Sequence, residues 1–371
     1  MSAEGVSPTR ERAVRMSGGD ASAVEGPLEG YHHETYVIPL PDAAGEEDDE
    51  DAAPVRAKCR APRGGLLWFD RRCFVSEEQL LAALQGRITG IPDLIEVGEI
   101  RLQRFIEGRT LGSRYAAGRT VPEPVVDQIL DLFRQLIGVS PRSLAAERRC
   151  VPEDRAEDGD CAGFLEGLVR FVEERVYQDN LASFEELFAA LGVDEDSFRA
   201  LRKHVVVPGL AERPFSLLHA DLHRENFVLD PAGRLWTIDW ELAMLGDPLY
   251  DLATHLYLMR YPDHQQERLI ERWCAVAEEV RPGSTEGRRE DLPRLLDFKR
   301  AQSVFTDVIR ATEILDTGRS FNWRRWPTEA MRVQRVLTRA AVPLGLDEVP
   351  NLRTVAAALL DWYRLRGRRT S

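Results

Sequence analysis

The spacing of apolar residues changes along the chain and divides it into two parts. Before about residue 108 the apolar positions alternate with polar ones in short runs, the spacing of half-buried strands. These runs lie at 31–40, at 54–59 and on either side of Gly98. One helix interrupts them, because Ser76 and Gln79 form a capping box ahead of a leucine-rich segment. The first part is therefore predicted to be small, rich in strands and to contain one helix.

From about Pro122 the apolar period changes to 3.6 residues, which predicts helices. The clearest helical segments are Val125 to Ile137, Phe164 to Val176, Leu292 to Leu315 and Ala356 to Tyr363. A strand-like interruption lies at 216–238. The chain is therefore predicted to be an α+β protein with two lobes. The smaller, β-rich lobe spans 28–108, and the larger, mostly helical lobe spans 109–371.

Composition excludes several classes of protein. The 371 residues are 43% apolar and 30% charged, unlike a collagen-like or wholly disordered chain. No uncharged apolar run reaches the roughly 18 residues of a membrane span, and residues 1–15 lack a secretory leader pattern. The five cysteines are scattered without a C-x-x-C pair, which favours reduced thiols. We expect a cytoplasmic location.

The net charge of −13 is concentrated in one segment. Seven acidic residues lie within 42–51, and without them the net charge would be −6. We interpret 42–53 as an acidic loop inserted in the first lobe, and 1–27 as a disordered tail. A basic footprint for nucleic acid is not visible, and a mildly acidic body suits a cationic small molecule.

Lysine is rare in this chain. Only three of the 49 basic residues are lysines, at positions 58, 203 and 299, and the other 46 are arginines. Because the two side chains differ in shape and hydration, a lysine here suggests a place where arginine would not serve. Lys58, on the strand at 54–59, is the candidate anchor for the phosphates of a nucleotide. An ordinary surface lysine is the alternative.

The partner expected for Lys58 is an acid on the predicted helix. Glu77 shares the inward face of the leucine-rich segment, whereas Glu78 points elsewhere. The alternative is that both acids only favour the positive end of the helix.

The segment from Ser216 onward contains the candidate chemistry. A short strand leads to His219 and Asp221, and Asn226 follows five positions after the aspartate. A hairpin then returns the chain to Asp239. Phosphoryl transfer needs a carboxylate for the hydroxyl proton and oxygen ligands for Mg²⁺, and this spacing brings such groups together. The alternatives are turn or cap roles for Asp221 and Asn226, and a solvated strand end for Asp239.

The pattern H-x-D-x-x-x-x-N followed by an acid resembles the aminoglycoside phosphotransferase family and its relatives, the choline, ethanolamine, homoserine and thiamine kinases. The matching residues run from Leu217 to His255 and include the segments Ile238 to Glu241 and Gly246 to Pro248. Ala220 departs from the pattern, because the family commonly has glycine there. The resemblance implies a protein kinase-like fold.

The resemblance also implies a role for each matching residue. Asp221 would be the catalytic base or would orient the acceptor hydroxyl, and Asn226 and Asp239 would bind Mg²⁺. Asp251 and His219 would brace the catalytic loop.

Other residues are candidates by position. His223 and Glu241 lie next to the reacting centre and are candidates for contact with substrate or water. The turn at 30–35 occupies the place of the phosphate-covering loop, where His32 and His33 are expected as polar loop residues. Gln103 to Gly108, including Phe105, would form the hinge whose backbone faces adenine.

We therefore expect a phosphotransferase that uses ATP, with GTP left open, and Mg²⁺ to phosphorylate a hydroxyl of a small molecule. An aminoglycoside or related antibiotic is the first choice of acceptor, and choline, homoserine or a similar alcohol is the alternative. A non-catalytic nucleotide-binding scaffold and a protein kinase are further alternatives. Neither nucleic acid nor membrane is expected as a partner, and the state would be monomer or homodimer.

Overall fold

The fold is seen in a computed structural model of the protein, which describes residues 7–28, 30, 33–40, 55–63, 69, 71–98 and 100–369. His32 and the acidic segment 42–53 lie outside the described residues, so the expectations for them stay predictions.

The first lobe is built on one antiparallel sheet. Its five strands have the order β1-β2-β3-β5-β4. They are β1 (Glu25–Leu28), β2 (His33–Leu40), β3 (Val55–Pro62), β4 (Leu94–Val97) and β5 (Ile100–Arg104). The turn between β4 and β5 contains Gly98 at φ +61°, a left-handed backbone that glycine adopts without strain. The predicted strands around Tyr36, Val55 and Gly98 are therefore confirmed.

A helix that the sequence did not indicate covers the outer face of this sheet. Residues 1–27 were expected to be a disordered tail, but helix α1 (Pro8–Met16) packs on β2 and β3. Ser7 caps it by accepting hydrogen bonds from the backbone of Thr9 and Arg10. Ala13 is fully buried against the sheet. Small buried residues give a weak hydrophobic signal, which explains the wrong prediction.

The opposite face of the sheet faces α2 (Glu77–Leu84) and the second lobe. Ser76 caps α2 by accepting a hydrogen bond from the backbone N–H of Gln79 at 3.3 Å. Lys58 lies in the middle of β3, paired with Val37 on β2 and Gln103 on β5. Its neighbour Cys59 is buried on the α1 side, so the alternation of the strand directs Lys58 toward the cleft.

The second lobe is mostly helical, and its larger core continues into α2 of the first lobe. Its helices within the described residues are α3 (Leu111–Arg114), α4 (Glu123–Gly138), α5 (Cys161–Phe171), α6 (Leu181–Ala190), α7 (Glu195–Val205), α8 (Pro248–Met259), α9 (Asp263–Val280), α10 (Arg288–Leu315), α11 (Trp326–Ala340) and α12 (Leu352–Arg369). None of the helices in the described ranges is long and apolar enough to cross a membrane. The predicted α+β fold with a β-rich and a helical lobe is confirmed.

Short strands form the floor of the cleft in the second lobe. They are β6 (Arg109–Thr110), β7 (Ser216–Leu218), β8 (Phe227–Leu229), β9 (Leu235–Thr237) and β10 (Met244–Gly246). β6, β8 and β9 form one sheet, and β7 pairs with β10. Gly108 sits at the end of the interlobe segment, where a Cβ atom would approach the carbonyl oxygen of Leu229 to 2.3 Å. Only glycine therefore permits this close contact between the hinge and β8.

We expect Ala13→Asp to lower the free energy of unfolding by about 3 kcal/mol, because the carboxylate would be buried without a partner. The measurement is urea unfolding of the purified variant. Ala21→Asp is the matched control, since Ala21 is exposed. Equal stability of the two variants would contradict the docking of α1 on the sheet.

Candidate active site

The catalytic loop spans residues 219–226 between β7 and β8. The backbone N–H of Ile238 donates to the carbonyl oxygen of Asn226 at 2.9 Å, which brings Asp239 beside the end of the loop. Asp230 closes the hairpin by accepting from the backbone N–H of Arg234 at 2.8 Å. Asp221, Asn226 and Asp239 are thus brought together, as the sequence spacing predicted.

Asp221 is held in one orientation by its neighbours. The amide nitrogen Nδ2 of Asn226 donates to Oδ2 of Asp221 at 3.0 Å and to its carbonyl oxygen at 2.9 Å. His223 Nε2 lies 3.4 Å from the same Oδ2. About a quarter of the Asp221 side chain remains exposed, so one face of the carboxylate is open to an incoming hydroxyl.

The charge on Asp221 is maintained by His223. Burial alone would raise the pKa of Asp221, but the hydrogen bond from His223 opposes it and helps to hold this pKa below its ordinary value. The backbone N–H of Glu225 donates to His223 Nδ1 at 3.1 Å, so in the neutral ring the proton is on Nε2 and faces Asp221. Asp221 is therefore an ionised hydrogen-bond acceptor near neutral pH.

Asp251 lies under the catalytic loop. Its two carboxylate oxygens accept the backbone N–H groups of His219 at 3.1 Å and Ala220 at 2.8 Å. Burial raises the pKa of Asp251 to about 7, although these two hydrogen bonds oppose the shift. This is the contact expected of a brace, and it acts on the backbone rather than on substrate.

His219 is a buried, neutral support for the loop. Burial lowers the pKa of His219 to about 4. Its Nε2 donates to the carbonyl oxygen of Ile238 at 3.2 Å, and its ring meets Trp240 edge-on at 4.7 Å. These contacts tie the start of the loop to the segment that contains Asp239.

Glu77 joins three segments at the back of the cleft. One carboxylate oxygen accepts the backbone N–H of Trp240 at 2.9 Å, and the other forms an ion pair with Arg60 on β3. Burial would raise the pKa of Glu77, but the charge of Arg60 and the Trp240 N–H outweigh it and lower this pKa. Glu77 rather than Glu78 faces the cleft, although Glu78 also pairs with Arg60, at 2.9 Å.

The ion pair to Glu77 was expected from Lys58 and comes from Arg60 instead. Arg60 is two residues after Lys58 on β3, so it shares the same face of the strand. Within the described chain Lys58 has no ion pair of its own. Burial lowers the pKa of Lys58, while the nearby negative charges of Glu77 and Asp239 oppose the shift.

Asp239 has the properties of a cation ligand. Burial raises the pKa of Asp239 to about 6, and the negative charges of Glu77 and Asp221 add to this shift. A bound cation would relieve that repulsion. The carboxylate of Asp239 and the amide oxygen of Asn226 are the oxygen donors that Mg²⁺ prefers, so these residues fit the ion. Among the residues described, no three carboxylate, imidazole or thiolate groups form a ready-made metal site, and phosphate and water oxygens would be needed as well.

Glu241 and His33 meet across the mouth of the cleft. Glu241 accepts a hydrogen bond from Arg72 at 2.6 Å and lies 3.4 Å from Nδ1 of His33. Burial and the charge of Asp239 raise the pKa of Glu241 to about 8. Burial and the charges of two nearby arginines lower the pKa of His33 to about 4. His33 is therefore neutral near pH 7 and does not supply positive charge for phosphates.

The interlobe segment is only partly arranged as expected. Gln103 is buried on β5, with its Nε2 3.5 Å from the carboxylate of Glu78. The backbone N–H of Phe105 donates to the carbonyl oxygen of Arg56 at 2.8 Å. This N–H is therefore already used within the first lobe, and the expectation that the backbone of residues 103–108 faces adenine stays a prediction.

Two further buried side chains support the loop. Arg224 donates to the carbonyl oxygens of Tyr115, Arg119 and Met259, each at 3.0 Å. His255 on α8 donates from Nδ1 to the carbonyl oxygen of Leu222 at 2.9 Å. Both residues lie in or near the motif, but the sequence alone does not show which distant carbonyls they reach.

A buried ion pair fixes α8, the helix that presents Asp251. Asp247 caps α8 and accepts two hydrogen bonds from Arg213, at 2.8 and 2.6 Å. Arg213 also donates to Asp291 on α10 at 2.7 Å. The Gly-Asp-Pro sequence before α8 indicates the cap, whereas Arg213 lies outside the motif and was missed.

The two lobes, the catalytic loop and the acid that follows its hairpin are the features of a phosphotransferase with the protein kinase-like fold. The model of the phosphotransferase enzyme family matches residues 74–289, more than half of the chain, so the chain belongs to this family. The resemblance predicted from the catalytic loop is thereby confirmed, as is the prediction that the protein is an enzyme that acts as a phosphotransferase.

Solved structures with the same fold act on different small molecules. They include an ethanolamine kinase from Plasmodium vivax, with 11% identity, a TM-score of 0.53, and 91% of this chain and 85% of that chain covered. The macrolide 2′-phosphotransferase MphH from Brachybacterium faecium has 14% identity and a TM-score of 0.50, and the match covers 89% of this chain and 95% of that chain. A thermostable mutant of aminoglycoside phosphotransferase APH(4)-Ia, in complex with AMP-PNP and hygromycin B, has 14% identity and a TM-score of 0.50. The match covers 92% of this chain and 100% of that chain. At these identities the similarity shows the fold alone. A comparison with curated protein sequences gives no match.

The departure at Ala220 leads to a prediction. Ala220 has φ +63°, a left-handed backbone that costs a residue with a Cβ atom about 1–2 kcal/mol and glycine almost nothing. We therefore expect Ala220→Gly to raise the free energy of unfolding by about 1 kcal/mol in urea unfolding. Ala275→Gly, on the exposed face of α9, is the control and should lower the free energy of unfolding by a similar amount. Destabilisation by both substitutions would refute the strained backbone at Ala220.

Proposed function

We propose that the protein transfers the γ-phosphoryl group of ATP to a hydroxyl of a small molecule. The observation that carries the proposal is the ionised, partly exposed Asp221 held by Asn226 beside the buried Asp239. The acceptor oxygen forms a bond to the γ-phosphorus while the bond to the bridging oxygen of ADP breaks. The hydroxyl proton passes to Asp221.

The protein contributes mainly position and charge. Asp221 orients the hydroxyl, and its carboxylate cannot rotate freely because Asn226 and His223 contact the same oxygen. Asn226 and Asp239 would hold Mg²⁺, which would supply positive charge at the phosphates. Asp251, His219 and Arg224 hold the loop backbone still, so little reorganisation is needed when substrate binds.

Lys58 is the residue proposed to bind the α- and β-phosphates. Its position on the cleft face of β3, near Asp239 and without an ion pair in the described chain, suits this role. Because Arg60 already neutralises Glu77, the ammonium group of Lys58 remains for an anionic ligand. Phosphate oxygens would restore the charged form that burial disfavours. ATP is preferred, with GTP left open.

The acceptor is proposed only by class. The APH(4)-Ia structure contains hygromycin B, and MphH is a macrolide 2′-phosphotransferase, so an antibiotic acceptor stays the first proposal. The ethanolamine kinase represents the alternative of a small metabolic alcohol. A scaffold without catalysis is not favoured, because Asp221, Asn226 and Asp239, the residues proposed for catalysis and metal binding, lie together in the cleft.

Asp221→Asn should abolish most acceptor-dependent ADP release with Mg²⁺-ATP, lowering kcat by about 1000-fold, because the amide cannot accept the hydroxyl proton. The acceptor panel contains aminoglycosides, macrolides, choline, ethanolamine and homoserine. Asp263→Asn, at the exposed start of α9, is the matched control and should keep full activity. Undiminished turnover by Asp221→Asn would contradict the assigned role of this residue.

Lys58→Arg should raise the KM for ATP by about tenfold, because the larger, planar guanidinium does not fit a buried site shaped for a compact ammonium group. The same substitution at the exposed Lys203 on α7 should leave KM unchanged. Steady-state kinetics with varied ATP measures both. An unchanged KM for Lys58→Arg at an unchanged melting temperature would remove Lys58 from the nucleotide site.

A further inference from the structure

A cavity of about 320 Å³ lies beside β10 and is lined by four arginines. We call it the arginine pocket, defined by Arg71, Arg142, Arg148 and Arg155. Phenylalanine side chains, including Phe164, form an apolar part of the wall. A partly apolar cavity with a few converging charged groups is the usual form of a small-molecule site.

The four arginines have no acidic partner among the described residues. Across the part of the chain that the structure describes, none of them forms an ion pair with a carboxylate. Arg71 donates to the backbone carbonyl oxygen of Asp154, and Arg155 donates to that of Cys150 at 2.6 and 3.0 Å. Burial and the charge of Arg155 lower the pKa of Arg148, which shows that the positive charges are close enough to repel each other.

The carboxylates that line the pocket are engaged elsewhere. Asp154 forms an ion pair with Arg170 at 2.9 Å. Asp158 accepts the backbone N–H of Phe215 at 2.7 Å. Asp158 keeps its charge, so four arginines face one carboxylate that has no cationic partner among the described residues, and the pocket has a net positive charge.

The half-buried Cys150 also lines the pocket and responds to this charge. Its Sγ lies 3.8 Å from the carbonyl oxygen of Cys73. A hydrogen bond from the Cys73 thiol lowers the pKa of Cys150 to about 5, and the charges of Arg155 and Arg71 add to the shift against the effect of burial. The charges of Arg71 and Arg155 therefore act on Cys150 in the direction that favours its thiolate.

The arginine pocket adjoins the catalytic loop. Arg71 and Met244 line both this pocket and a narrow cleft that reaches Ala220, the residue before Asp221. Met244 on β10 pairs with Leu218 on β7, immediately before the loop begins. The arginine pocket is therefore connected, through Arg71 and Met244, to the start of the catalytic loop.

We propose that the arginine pocket binds a carboxylate or phosphate group of the acceptor, so that the substrate class is an anionic, hydroxylated small molecule. This inference rests on the proposed phosphotransfer at Asp221. Arginine suits the task because its planar guanidinium donates two parallel hydrogen bonds to either oxyanion. This inference departs from the cationic acceptor that the net charge favoured, and therefore from aminoglycosides among the proposed antibiotics, because the local charge of this pocket is positive.

Cys150 provides a test that is independent of catalysis. The reaction rate of its thiolate with the neutral reagent 4,4′-dithiodipyridine is measured in a Cys274→Ser background, which removes the other half-buried thiol. The pKa of about 5 predicts a nearly constant rate from pH 8 to 6 and a tenfold loss per unit well below pH 5. Inorganic phosphate or succinate, at constant ionic strength, should slow the reaction at least fivefold by occupying the pocket.

Variants assign this protection to the pocket. Arg148→Gln should reduce the protection factor to near one, whereas Arg199→Gln, on the exposed face of α7, should retain it. Comparing phosphate with succinate shows which oxyanion is preferred. No protection by either anion would overturn the proposal, as would equal protection in Arg148→Gln.

The acceptor role is tested with matched polyols in the ADP-release assay: gluconate, glucose 6-phosphate and glucamine. Faster turnover of an anionic member, with an acceptor KM raised at least tenfold by Arg148→Gln and an unchanged KM for ATP, supports the proposal. Preference for glucamine or an aminoglycoside, or no effect of Arg148→Gln on the acceptor KM, overturns it. If all acceptors, including those of the wider panel, give no ADP release, the proposed function and the acceptor role both fail, and the thiol protection still decides whether the pocket binds anions.

Discussion

The arrangement of the active site depends on the ion pair and the hydrogen bond that the buried carboxylate of Glu77 forms. It connects β3 through Arg60, the start of α2 on which it lies, and the backbone of Trp240 directly after Asp239. These three elements come from both sides of the cleft, so their relative position is set by one ionised group. Because the group is almost fully buried, loss of either partner would leave a charge or an N–H without compensation.

The three aspartates of the active site differ in their pKa values and in their hydrogen-bond partners. Asp221 stays ionised through His223, whereas the more deeply buried Asp239 has a raised pKa that a cation would relieve. Both carboxylate oxygens of Asp251 accept hydrogen bonds from the backbone of the loop. The three neighbouring aspartates therefore differ in their ionisation and their contacts, because burial and hydrogen bonding differ at each one.

The sequence predicts the parts of this molecule that depend on local spacing. The two lobes, the strand with Lys58 and the hairpin that returns Asp239 to Asp221 all follow from periodicity or from the motif. Contacts between distant segments do not follow in this way. The ion pair between Glu77 and Arg60 depends on how far their side chains extend between α2 and β3. The Arg213–Asp247 ion pair joins residues that no common sequence pattern connects. The left-handed backbone at Ala220 could not be predicted from the sequence either, because alanine, unlike glycine, does not indicate a positive φ.

The position of α1 has a consequence for how the chain folds during synthesis. A nine-residue helix is too short to be stable alone in water, and the face that α1 covers is made by β2 and β3, some twenty to fifty residues later. Helix α1 can therefore become ordered only after β2 and β3, which follow it in the chain, have been made. Within this part of the first lobe, the order of folding is thus the reverse of the order of synthesis.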